Sequence, residues 1–171
     1  RELWTGDRVV KVVDVRLVVP DLTIDSTMLH AFTAATSAAP RLVSDLAGLP
    51  HGVNFHVDLV PKVDLAAEAS YLDTVYPPLT DARAAAYAVP GATPVAVPLR
   101  LAAFSSPWLV GVTVPPERVT DVEPVYDVYL DRFTELLGRA GSLSPRPGEE
   151  LEVRDRAVRR AQFDAASDPV W

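Results

Sequence analysis

The residues best suited to chemistry lie in the stretch Val53–Val60, VNFHVDLV, which alternates by residue. Val53, Phe55, Val57 and Leu59 make one apolar edge, and Asn54, His56 and Asp58 make a polar one. The segment before it, RLVSDL, alternates in the same way. It sends Arg41, Val43 and Asp45 to one side and Leu42, Ser44 and Leu46 to the other. Two such strands joined by a turn set Asp45 beside His56 and Asp58. A carboxyl group removed from water is pushed up in pKa, keeps its proton near neutral pH and can act as an acid. A neighbouring imidazole can relay that proton. The same alternation also describes a strand whose polar face stands in solvent, or whose carboxylates satisfy loop amides.

A second candidate is the cluster Arg146, Arg154, Arg156, Arg159 and Arg160 near the end of the chain. Guanidinium forks grip carboxylates in bidentate fashion or dock an acidic partner. They equally form a solvated helix face paired with Glu149, Glu150, Glu152 and Asp155, since Arg156 follows Glu152 by four residues. Other chemistries find no support. The three histidines, His30, His51 and His56, lack metal-ligand spacing, and there is no Cys. No phosphate loop, HExxH, nucleophile elbow or EF-hand loop occurs.

The elements that must carry these residues read as strands first and helices last. Val9–Val19 is β-branched and ends at Pro20, and His30–Ala38 reads as a second strand. Arg41–Leu46 and Val53–Val60 follow, joined by a hairpin loop over Ala47–Gly52. Helical spacing over Asp64–Tyr76, with Asp64 as N-cap, stops at Pro77, and a short helix spans Thr80–Ala88 with Thr80 as its cap. Strand signals return at Val95–Phe104 and Trp108–Val114. Pro124–Leu137 and Glu149–Ala166 are helices separated by the loop Gly141–Gly148. Tyr71, Tyr76, Tyr129 and Phe133 fall on apolar stripes and read as core. This order predicts an α+β fold, a central antiparallel sheet sandwiched between helices, as one domain over residues 1–171.

Composition agrees and excludes several classes. At 171 residues with 49% hydrophobic and 23% charged content, the chain has enough apolar material for one core. A net charge of −7 argues against nucleic acid as a partner. No apolar run approaches membrane-spanning length, so no membrane partner is expected. The chain opens at Arg1 without a signal-like hydrophobic region, from which a cytoplasmic location is expected. It also opens without Met, which leaves room for residues upstream. Fourteen Arg against two Lys is the usage of a GC-rich genome, such as an actinobacterial one.

Three stretches together resemble the red chlorophyll catabolite reductases, a divergent branch of the ferredoxin-dependent bilin reductases. AAPRLVSDL, FHVDLV, KVDL, YLDTVY and LTDAR run in that family's order. LRLAAFSSPWLVGVTV, from Leu99 to Val114, is similar to its Arg, Ala-Phe-Ser-Pro strand pair. VRDRAVRR, within Glu152–Trp171, is similar to its arginine-rich entry into the last helix. The resemblance implies an open-chain tetrapyrrole, or another planar conjugated molecule, held between the sheet and the C-terminal helices. It implies electrons from external ferredoxin, no bound cofactor, and protons from acidic side chains. The family's carboxylate on the sheet falls on Asp45, with His56 and Asp58 to assist. Its aromatic pocket position falls on Phe104, and Asn54, Arg100, Arg159 and Arg160 would contact substrate. Its second carboxylate falls on Ala166, with Asp164 and Asp168 two residues to either side. That departure leaves two other readings open. One is a haem-binding oxygenase of a natural-product pathway, with His56 or His51 as axial ligand. The other is a tetrapyrrole-binding protein without catalysis.

Overall fold

The computed structural model describes residues 2–4, 6, 8–97 and 99–163, the side chains of residues 2–4, 22, 100 and 161–163 excepted. Among the described residues seven strands form one sheet: β1 (Glu2–Trp4), β2 (Val9–Val19), β3 (Ile24–Thr33), β4 (Arg41–Leu49), β5 (Gly52–Val60), β6 (Thr93–Pro94) and β7 (Val110–Val114). Their spatial order is β1-β2-β3-β4-β5-β7-β6, and every neighbouring pair is antiparallel. The helices are α1 (Ala69–Val75), α2 (Thr80–Ala88), α3 (Leu99–Ala102), α4 (Glu123–Gly138) and α5 (Gly148–Phe163). The protein is therefore α+β around an antiparallel sheet. Among the described residues no helix is long and apolar enough to cross a membrane.

Cross-strand register divides the sheet into two faces. Leu42 pairs with Leu59, Ser44 with Val57 and Leu46 with Phe55, which gives one face. Ala31, Val110, Val112 and Val114 continue it on neighbouring strands. Tyr71 and Val75 of α1 and Tyr129, Phe133 and Leu136 of α4 close over it as the main core. Val57, Leu59, Tyr71 and Leu136 are wholly buried there, and each apolar side chain so enclosed contributes about 1.5–3 kcal/mol. Tyr71 and Tyr76 donate their hydroxyls to the carbonyls of Ala38 and Leu59 at 2.9 Å, so their polar tips are satisfied. Arg132 of α4 donates to the Val75 carbonyl at 3.0 Å, covering the open end of α1. The opposite face is covered in part by α5, whose Val158 packs with Val43, Val60 and Phe104.

Several expected boundaries shift, each for a physical reason. The second strand is not His30–Ala38 but Ile24–Thr33. Pro20–Leu22 makes a tight turn closed by Thr23 at φ 52°, which starts the strand early. The chain leaves the sheet after Thr33, whose hydroxyl donates back to the Ala39 carbonyl at 2.9 Å. Ala47–Gly52 is not a loop. The strands continue to a Leu49↔Gly52 pair, leaving only Pro50 and His51 in the turn. Asp64 caps a turn rather than a helix, accepting from the Ala66 N–H at 3.0 Å, and α1 begins at Ala69. Thr80 is the first residue of α2 but caps nothing with its side chain. Val95–Phe104 is not a strand. Only Thr93–Pro94 forms a strand on the outer edge, with the Val95 N–H donating once more to the Gly111 carbonyl at 2.9 Å, and the single turn of α3 follows. Trp108 lies before β7, which starts at Val110.

Candidate functional site

The face opposite the main core carries four of the expected site residues, Asp45, Asn54, His56 and Asp58. Register places Met28, Asp45, His56 and Gly111 in one cross-strand row, and His30, Val43 and Asp58 in the next. Asp45 and His56 are thus direct neighbours, as the alternation predicts. Asp45 is half-buried, and Ser26 donates its hydroxyl to Oδ1 at 3.0 Å. Burial raises the Asp45 pKa, and the Ser26 hydrogen bond partly opposes this. Burial also drives His56 down to about 4 and, with the nearby His56 and Arg41 adding to it, His30 down to about 4. Both imidazoles are therefore neutral at physiological pH. Nε2 of His56 is enclosed and has no hydrogen-bond partner among the described residues. The row holds groups biased towards their uncharged forms, which suits a neutral conjugated ring system and proton transfer to it.

Two other polar residues on this face are already engaged. Asn54 accepts from the Thr113 hydroxyl at 2.6 Å. Asp58 is wholly buried and closes on Ser106, accepting its N–H at 2.9 Å and its hydroxyl at 2.5 Å. It thereby fixes the turn that follows Phe104. The next residue but one, Trp108, is fastened on the α4 side of the sheet. Its indole N–H donates to Thr80 at 2.9 Å, its ring stacks on Tyr76 with centroids 5.3 Å apart, and its carbonyl accepts from Tyr129.

Burial pushes Asp58 up from 3.8 to about 7, against the hydrogen bonds from Ser106. The folded protein then binds the extra proton between those values, so this group makes stability fall as pH rises through that window. His30 and His56 act oppositely. From about 4 to 6.5 the unfolded chain binds their protons, and stability rises with pH. Asp58→Asn is expected to steepen the rise between pH 4 and 6.5 and to abolish the fall near pH 7, a slope change of at most about 1.4 kcal/mol per pH unit. Urea midpoints across that range test this. A profile superimposable on wild type would mean that folding does not hold a proton on Asp58.

The remaining expected residues are dispersed. Phe104 is half-buried against Val43, Val60 and Val158, at the floor of this face. Arg159 reaches Asp155, while Arg160 is exposed on the last turn of α5. Arg156 pairs with Glu152 at 2.7 Å in solvent, as a simple helix-face pair. Arg100 belongs to α3, its side chain lying outside the described set. Asp164 and Asp168, like Ala166 between them, lie outside the described residues. His51 occupies the exposed turn between β4 and β5, away from the row. Among the described residues no group of three or more His, Asp or Glu could hold a metal ion.

The spacing of residues did not announce a buried ionic cluster at the β4–β5 end of this face. Asp155 of α5 receives Lys62 at 2.5 Å, Arg159 at 2.6 Å and Arg41 at 3.7 Å. The strand alternation did point Arg41 to the same side as Asp45, and Asp155 stands four residues before Arg159. Those were the available signals. The other side of the sheet carries a cavity of about 490 Å³ beside the start of α4, with Leu29, Phe55 and Val122 on its walls. Asp14, Asp45, Glu123 and Asp127 also line it, and their charge disfavours an acidic guest. Against known proteins, no family model matches the chain and no curated protein matches it.

Proposed function

We propose that the protein is an oxidoreductase of the red chlorophyll catabolite reductase and bilin reductase kind, acting on an open-chain tetrapyrrole or a similar conjugated acid. The observation that carries this reading is the Asp45–His56 row. It is a half-buried acid beside a neutral imidazole, on a sheet face whose far end is cationic. Reduction of one conjugated double bond takes two electrons and two protons. Ferredoxin supplies the electrons singly, and Asp45 supplies a proton to the carbon that has gained charge. His56 returns a proton to Asp45 from solvent. Phe104 shapes the floor, and Arg159 draws the guest's acidic groups. Arg100 and Arg160, with Asp164 and Asp168 in the second acid's neighbourhood, complete the site on this reading. Such a ferredoxin partnership belongs in the cytoplasm.

The test is an absorbance titration with biliverdin, followed by reduced ferredoxin. Binding is expected to shift the pigment's visible band, and ferredoxin to bleach it. A band that does not move on mixing rules the reading out. Binding without bleaching selects the non-catalytic carrier. A second reading is favoured by the orphaned Nε2 of His56. An enclosed, neutral imidazole nitrogen without a partner is what an axial haem ligand requires. His51, on an exposed turn, does not fit that role. On the haem reading, haemin gives a Soret band that His56→Ala loses and His51→Ala keeps. Equal spectra for wild type and His56→Ala would sink it.

A further inference from the structure

The cluster around Asp155 has a charge imbalance of which the reductive reading uses only the attraction for a guest's acidic groups. Three cations, Arg41, Lys62 and Arg159, converge on one carboxylate. Among the described residues none of the three has a second acidic partner within ion-pair distance, so two positive charges are left over in a chain of net charge −7. Phe32 gathers the cations further, with Arg159 5.1 Å and both Arg41 and Lys11 5.8 Å from its ring centroid. Arg41 is only 2% exposed, and its Nε and Nη1 have no hydrogen-bond partner among the described residues. An uncompensated buried charge is costly. Burial and mutual repulsion accordingly drive Arg41 down to about 10 and Lys62 to about 8, against the pull of Asp155.

We propose that this cluster is the seat of a phosphate-type dianion, either free or carried as the monoester of a small molecule. Charge, compactness and access lead there. The excess is two, and a phosphate monoester carries close to that near neutral pH. All three cationic heads lie within reach of one carboxylate, so the excess is concentrated at one point of the face. Two separate carboxylates crowded there would repel each other. Guanidinium forks match phosphate oxygens, and three such oxygens can take the donors that Arg41 leaves unused. Arg159 is 35% exposed, which gives the approach from solvent on the α5 side. The inference stands on this cluster alone and needs no proton transfer by Asp45.

Calorimetric titration of the full chain with inorganic phosphate and with phenyl phosphate, at fixed ionic strength in chloride, tests it. Saturable one-site binding is expected, with a Kd below about 1 mM. Arg159→Gln is expected to weaken it at least tenfold. That variant leaves Lys62 and Arg41 on Asp155, and a urea curve verifies that it folds. Arg156→Gln, on the exposed side of the same helix, is expected to bind as wild type does. Tighter binding of phenyl phosphate assigns the seat to an esterified ligand, and equal binding to the free ion. Absence of saturable binding by both overturns the proposal. So does glutarate binding as tightly as phosphate, or an equal loss in Arg156→Gln. The biliverdin titration is read separately, so either reading can fail without the other.

Discussion

Asp155→Ala is expected to cost about 3–5 kcal/mol of folding stability, the usual result of breaking a buried ion pair by removing one partner. Asp155 and Lys62 are 2% and 1% exposed, and their 2.5 Å contact joins residues 93 apart in sequence. Without the carboxylate, Lys62 retains only the Ala34 carbonyl at 3.3 Å, and Arg41 retains the face of Phe32. The released repulsion falls on α5, which is the element that covers this side of the sheet. Arg159, one-third exposed, is partly screened and adds least. The measurement is a urea denaturation series. Asp155→Leu combined with Lys62→Met should recover part of the loss, because an apolar pair avoids stranded charge. A cost under about 1 kcal/mol for Asp155→Ala would show the cluster to be solvated like a surface pair.

Asp45→Asn is expected to lower turnover of biliverdin with reduced ferredoxin by about 100- to 10,000-fold, the range for removing a general acid. Asparagine has nearly the same shape and still accepts the Ser26 hydroxyl that holds Asp45 at 3.0 Å. It cannot carry the transferable proton. The pigment's affinity should therefore change little while kcat falls, which is the signature of an interaction made only in the transition state. Ser26→Ala makes the converse change. It removes the hydrogen bond that favours the ionised form of Asp45, so the pKa should rise further and the alkaline limb of the pH–rate profile should move upward. Normal turnover by Asp45→Asn would place the proton donor elsewhere on the face.

The β4–β5 hairpin was legible because its period is uninterrupted. Residues 41–46 and 53–60 keep strict alternation, and antiparallel pairing then forces Asp45 beside His56. α4 was legible because Pro124 and Gly138 bracket a single apolar stripe. Residues 95–104 misled because their apolar, β-branched composition suits a strand, while only the Val95 N–H joins the edge and α3 follows. The small residues after Thr33 look like a strand continuation, but a side-chain hydrogen bond to Ala39 folds them back. The ionic cluster was illegible for a different reason. Arg41, Lys62 and Asp155 belong to three elements, and no local pattern records which distant segments the sheet brings into register.

The segment from Ser106 to Trp108 has a consequence for how the two sides of the sheet communicate. Ser106 is gripped by Asp58 on one side, and Trp108 is fastened to Thr80, Tyr76 and Tyr129 on the other. The segment therefore ties the strand that carries Asp58 to the layer that carries Tyr76 and Tyr129. Loosening the grip of Asp58 on Ser106 is therefore expected to be read as a change in Trp108 fluorescence on the far side.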